Sequence, residues 1–80
     1  MRLDKFLKVS RLIKRRTIAK EACDGGRIAV NGKVAKASTE LKVGDVIALT
    51  FGERKTQYRV IHLAEHIKKE GVNELYEAID

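Results

Sequence analysis

Leu3, Phe6 and Leu7 are spaced i, i+3, i+4, which makes them one face of a helix, with Arg2, Lys5 and Lys8 on roughly the opposite side. This predicts a first helix from about residue 2 to residue 9 or 10. A basic connector over residues 11–16 follows, with Leu12 and Ile13 turned inward. Thr17 is the expected N-cap of a second helix. That helix is expected to bury Ile18, Ala19, Ala22 and Cys23 and to leave Lys20, Glu21 and Asp24 outside. Ala19 and Ala22 are small enough to let it approach its neighbour closely, and Gly25-Gly26 supplies a left-handed stop.

Beyond the glycines the apolar period shortens to two. Residues 27–30 and Lys33-Val34 flank Asn31-Gly32, a strong hairpin signal. Residues 35–42 read as a polar connection, and Val43-Gly44-Asp45 as a turn into an apolar strand over residues 46–51. Residues 52–56 read as a charged turn, and residues 57–63 as the antiparallel partner of that strand. From Ala64 the chain is charged and net acidic. Residues 73–79 read as a short C-terminal helix docking through Leu75, Tyr76 and Ile79. The predicted fold is α+β: two N-terminal helices packed on a small, mainly antiparallel sheet over residues 1–63, then a charged extension over residues 64–80.

Composition adds little to this outline, but charge adds a great deal. Eighty residues make one domain, which buries roughly 60% of the surface its unfolded chain exposes. With no Trp and no Pro, the core must come mainly from Leu, Ile, Val and Ala, and the turns from Gly, Asn and Asp. The first twenty residues hold Arg2, Lys5, Lys8, Arg11, Lys14, Arg15, Arg16 and Lys20 against the single acid Asp4, a net +7, while residues 21–80 balance to −1. A positive excess confined to one segment favours a polyanionic partner. Guanidinium groups hold phosphate bidentately, and lysines add mobile point charges.

Folded RNA suits this segment better than DNA. No helix carries the run of Asn, Gln and Arg expected of a major-groove reader, and a short basic helix beside a hairpin suits recognition of backbone and shape. An anionic membrane is a weaker partner, because the core needs Leu3, Phe6 and Leu7. Lone Cys23 excludes an intrachain disulfide and fits a reducing compartment. With no apolar leader at the N-terminus, a cytoplasmic protein without a signal peptide is expected.

Arg2-Leu3-Asp4 with Leu7, Ala19, the run Gly26, Ile28, Val30, Asn31, Gly32, and a later Gly44-Asp45 resemble the RNA-binding domain first described in ribosomal protein S-four, the αL motif. The match spans residues 2–46. Among stand-alone versions, the opening MRLDKFLKVSRLIKRRT resembles the RqcP family of ribosome quality control factors, relatives of the fifteen-kilodalton heat-shock protein. This resemblance implies binding to the free large ribosomal subunit through ribosomal RNA and peptidyl-tRNA. It also implies cooperation with RqcH, which adds alanine tails to stalled nascent chains. Arg2 and Arg16 become the first candidates for RNA contact, with Lys5, Lys8, Arg11, Lys14, Arg15 and Lys20 around them and Lys33 on the hairpin. Asp4 has two readings: it orients Arg2 or Arg16, or it favours the helix N-terminus through the dipole. A heat-shock-type recycling factor, an RNA-binding component of a modifying enzyme and a structural ribosomal protein are the alternatives.

Other patterns carry less. His62-Leu63-Ala64-Glu65-His66 matches a zinc-protease motif, but that motif needs a helix, a third ligand and a cleft. Gly25-Gly26 lacks the Gly-Lys-Ser/Thr continuation of a nucleotide loop. No nucleophile–base pair is present in the pattern, so no enzyme, metal or cofactor is expected, and the chain is expected to act as a monomer.

Overall fold

The structure is a computed structural model of the 80-residue chain, and it describes residues 1–65, 71 and 74–79. Two helices, α1 (Leu3–Val9) and α2 (Arg16–Asp24), precede five strands: β1 (Ile28–Val30), β2 (Lys33–Val34), β3 (Val46–Phe51), β4 (Arg54–Val60) and β5 (Tyr76–Ile79). The strands form one antiparallel sheet in the order β2-β1-β3-β4-β5.

α1 forms around the predicted stripe: Leu3, Phe6 and Leu7 are each fully buried. No side chain of the capping residue closes its N-terminus. Instead the Leu3 and Asp4 N–H groups donate to the carbonyls of Thr39 and Ala37 at 2.8 and 3.2 Å, so the loop after β2 supplies the missing acceptors. α2 ends as the double glycine requires. Gly26 sits at φ +79, its N–H donates to the Cys23 carbonyl, and the Arg27 N–H donates to the Ala22 carbonyl. These two bonds make a Schellman motif. The β1–β2 turn uses Asn31 at φ +53 and Gly32 at φ +84, the mirror-image turn whose twist matches a hairpin.

The Asn-Gly and Gly-Asp motifs prove to be one unit. Asn31 Nδ2 donates to Asp45 Oδ1 at 3.0 Å, the Val46 N–H donates to Asn31 Oδ1, and the Lys42 N–H donates to Asp45 Oδ2. The hairpin tip is thereby clamped to the entrance of β3. The core lies between the helices and one sheet face. It joins Leu3, Phe6, Leu7, Ala19 and Cys23 to Ile28, Ile47, Val60 and Leu75.

Four expectations need correction. α2 begins at Arg16 rather than after Thr17, with Arg15 as an extended N-cap that makes no side-chain bond. Ile18 is not core: it is 45% exposed, because the helix turns Ala19, Ala22 and Cys23 inward. β4 starts at Arg54, so the polar residues 54–56 are strand and only Gly52-Glu53 turn; residues 61–63 lie beyond it. Pairing of Phe51 with Arg54 outweighs the polarity of the segment.

The fourth correction concerns the C-terminus. Residues 76–79 form an edge strand, not a helix, with Tyr76 opposite Val60 and Ile79 opposite Gln57. The ladder to β4 and the edge-to-face contact of Tyr76 with Tyr58, ring centroids 5.2 Å apart, decide the conformation. Asn73, where the helix was expected to start, and His66 of the zinc-like pattern lie outside the described residues.

Candidate nucleic-acid interface

The cationic segment is organised by a buried acid. Asp4 is 2% exposed, in the first turn of α1. Its Oδ1 accepts the Lys5 N–H at 2.8 Å and Arg2 Nε at 3.2 Å. Its Oδ2 accepts Arg2 Nη2 and Arg16 Nε, each at 3.4 Å. Arg2 immediately precedes α1 and Arg16 opens α2, so one carboxylate gathers an arginine from the start of each helix. Both arginine side chains remain about half exposed, at 46% and 51%. Their remaining N–H donors are available to a phosphate. Of the two readings of Asp4, the structure supports the orienting one and keeps the dipole effect beside it.

The link between the helices is shaped just as closely. Arg11 adopts φ +62, left-handed backbone in which a non-glycine residue is unusual. Its N–H donates to the Lys8 carbonyl, and that of Ile13 to the Leu7 carbonyl. Buried Ser10 donates its hydroxyl to the Leu7 carbonyl and accepts the Leu12 N–H. The turn is therefore fixed from below, and Arg11, Lys14 and Arg15 stand exposed along it.

The structure thus brings Arg2 and Arg16 together through Asp4. Lys8 is exposed one turn beyond Lys5 on α1, and Lys20 one turn beyond Arg16 on α2. Lys5 differs from the rest: its Nζ lies 3.1 Å from Glu65 Oε1, so the acidic C-terminal segment engages one cation of the group. Such a partly exposed pair is worth little and yields readily to phosphate. Lys33 stands on edge strand β2, not on either helix.

Lys36 is a further exposed cation that the sequence pattern did not single out. It is exposed in the loop whose Ala37 and Thr39 carbonyls cap α1, and its own N–H is held by Thr39 Oγ1 at 3.0 Å. Residues 36–39 form a β-turn, closed by the Thr39 N–H donating to the Lys36 carbonyl at 3.0 Å. Cys23 is buried at the back of α2. Burial, then the charges of Asp4 and Asp24, push its thiol up to about 11, so it stays protonated and inert at neutral pH. Among the described residues no group of His, Cys, Asp and Glu is placed to hold a metal ion, and no helix is long and apolar enough to cross a membrane.

Residues 1–47 match the S4 domain family. A protein of Halalkalibacterium halodurans named RQC P-site tRNA stabilizing factor is 56% identical over 77 residues, covering 96% of this chain and 88% of the relative. The chain belongs to that family. A Streptococcus pneumoniae protein of the same name is 53% identical over 79 residues, 99% of this chain and 90% of the relative. The Vibrio cholerae heat shock protein 15, whose structure is described as trimeric, superimposes with a TM-score of 0.90 at 28% identity. That match covers 99% of this chain and 81% of the other. That protein thus shares the fold of two helices and a sheet on which the basic segment is mounted here.

Proposed function

We propose that this protein is an RNA-binding ribosome quality control factor. It docks on the free large ribosomal subunit, touches ribosomal RNA and peptidyl-tRNA together, and slows departure of the tRNA. In that setting it works with RqcH to support alanine tailing of stalled nascent chains, as a cytoplasmic monomer. The observation that carries this reading is the convergence of Arg2 and Arg16 on buried Asp4, which fixes two guanidinium groups at the centre of the +7 segment. The name carried by its relatives, RQC P-site tRNA stabilizing factor, supports it.

Arg2 and Arg16 are the central phosphate ligands. Lys5, Lys8, Arg11, Lys14, Arg15 and Lys20 extend the surface along both helices, and Lys33 and Lys36 extend it towards the hairpin. The side chains act by position and charge, with no covalent step. Rigid cations placed between two RNA bodies lower the free energy of the joined state and so lengthen its lifetime.

The test is binding to isolated large subunits carrying peptidyl-tRNA. Arg16→Ala should weaken binding by about 1–3 kcal/mol, the scale of a charge-assisted contact. With about five phosphates neutralised, the log–log salt slope should be about −4. Unchanged affinity on Arg16→Ala removes this surface from the interface.

A further inference from the structure

Beside α2, on the flank away from Arg16 and Lys20, lies a groove lined by Ile18, Glu21, Gly25, Arg27 and Phe51. Ile18 is two residues from both Arg16 and Lys20, which puts it roughly 160° around the helix from them. Ile18 and Phe51 are 45% and 40% exposed and line the same groove, so they meet water as an adjoining apolar pair. The other described aromatics are not available in this way: Phe6 is fully buried, and Tyr58 packs against Tyr76.

Cations flank Phe51. The Arg27 carbonyl accepts the Thr50 N–H at 2.9 Å, which holds Arg27 beside the end of β3. Arg54 is the cross-strand partner of Phe51 and so shares its sheet face. Neither guanidinium has an ion pair among the described residues. Glu53 adjoins Arg54 in the turn, and Glu21 lines the groove itself. The space is about 230 Å³, below the roughly 300–1,000 Å³ of pockets that enclose a drug-sized ligand. It suits a single flat group.

We propose that this groove is a slot for one unpaired RNA base, stacked on Phe51 against Ile18, with its phosphates on Arg27 and Arg54. Unpaired bases are recognised by aromatic stacking together with hydrogen bonds to their exposed edges, and a cationic border holds the backbone. The Glu21 carboxylate, which would oppose a phosphate, suits a base edge. It accepts the paired N–H donors of guanine, or an exocyclic amino group, as acidic side chains do with cytosine. An acidic or purely apolar peptide explains fewer of these groups, because it leaves either Glu21 or both arginines without a partner. The inference rests on RNA being the partner of this chain, and it adds a base-reading site to a surface that otherwise reads only phosphate.

The chain contains no tryptophan, so Phe51→Trp places a single tryptophan, excited selectively over the two tyrosines, in the slot. It would be titrated with RNA hexamers of adenylate, cytidylate, uridylate and alternating guanylate-adenylate. Saturable quenching is expected, strongest for the guanylate-containing hexamer, and Glu21→Ala should reduce that preference at least threefold. Phe51→Ala, assayed well below its own melting temperature, should weaken unlabelled hexamer binding about tenfold. Arg16→Ala, measured in parallel, separates the two sites: loss only there overturns the slot and leaves the helical surface standing, whereas loss only with Phe51→Ala does the reverse. Quenching equal for all four hexamers overturns the role of Glu21. Phe51→Ala binding both hexamers and large subunits like the wild type overturns the slot, whatever else the groove then accommodates.

Discussion

Asp4→Asn is the most informative single change, because charge and geometry push it in opposite directions. The substitution keeps an oxygen to accept the Lys5 N–H, which Asp4 holds at 2.8 Å. It replaces the second oxygen with an NH2 group aimed at two guanidinium donors, where Arg2 Nη2 and Arg16 Nε now stand at 3.4 Å. Because the arginines are half exposed, each lost ion pair is discounted to the 0–1 kcal/mol of a surface pair, and the freed cations rehydrate. A buried donor facing donors costs about 1–3 kcal/mol more. The sum is about 1–5 kcal/mol with a midpoint near 3, which at roughly 4–8 °C per kcal/mol for a domain of this size lowers Tm by about 12–24 °C.

RNA affinity decides the mechanism. The first twenty residues pass from +7 to +8, so charge alone makes RNA bind more tightly. Preorganisation makes it bind more weakly, since two released arginines must be ordered on binding at about 0.5–1.5 kcal/mol each. Screening at physiological salt keeps the charge gain below that. About tenfold weaker binding to large subunits is therefore expected, alongside unchanged or stronger binding to unstructured RNA. Circular dichroism melts and filter binding at two salt concentrations measure both. A variant that melts with the wild type and binds subunits more tightly refutes the clamp and returns Asp4 to a simple helix-end charge.

Three further expectations follow from particular residues. Arg11→Gly removes a side chain from left-handed backbone at φ +62; relief of about 1–2 kcal/mol exceeds the extra chain entropy of about 0.5–1. Tm should rise by a few degrees while the salt slope of RNA binding flattens by about 0.9, and a fall in Tm contradicts the assignment of strain. Cys23 has its folded-state thiol raised to about 11 from 9.0, so the folded protein holds that proton more tightly. Its contribution is complete below pH 9 and is lost as pH rises towards 11, about 3 kcal/mol in all. Urea titrations should show this loss in the wild type and a smaller one in Cys23→Ala, and equal losses exclude the thiol. Leu75→Ala opens a cavity at a fully buried position beside β5 and should cost about 2–5 kcal/mol by denaturant unfolding. A cost under about 1 kcal/mol would show that β5 is not docked.

Much of the architecture is local and could be read from the chain. The Leu3, Phe6, Leu7 stripe, the Gly25-Gly26 stop and the Asn31-Gly32 turn are decided by periodicity and by φ angles that few residues tolerate. The asymmetry of charge is a property of composition, and it named the candidate cations before any contact was known. Boundaries set by pairing were not legible. Arg54–Val60 is a strand because β3 lies alongside it, and residues 76–79 are extended because β4 offers an edge, although their own sequence favours a helix. Leu75 was recognisable as a docking residue, but the element that carries it was not.

The same division runs through the interface. The sequence by itself determined which residues are cationic, that they crowd one segment, and that a lone acid lies among them. Only the tertiary structure decided that Asp4 is buried beneath Arg2 and Arg16, that Lys5 meets Glu65, that Lys36 reaches the start of α1 through its loop, and that Ile18 faces a groove with Phe51. The physical reason is range. Helix period and turn geometry act over a few residues, whereas a carboxylate shared by positions 2 and 16 needs the packing of two helices to exist at all.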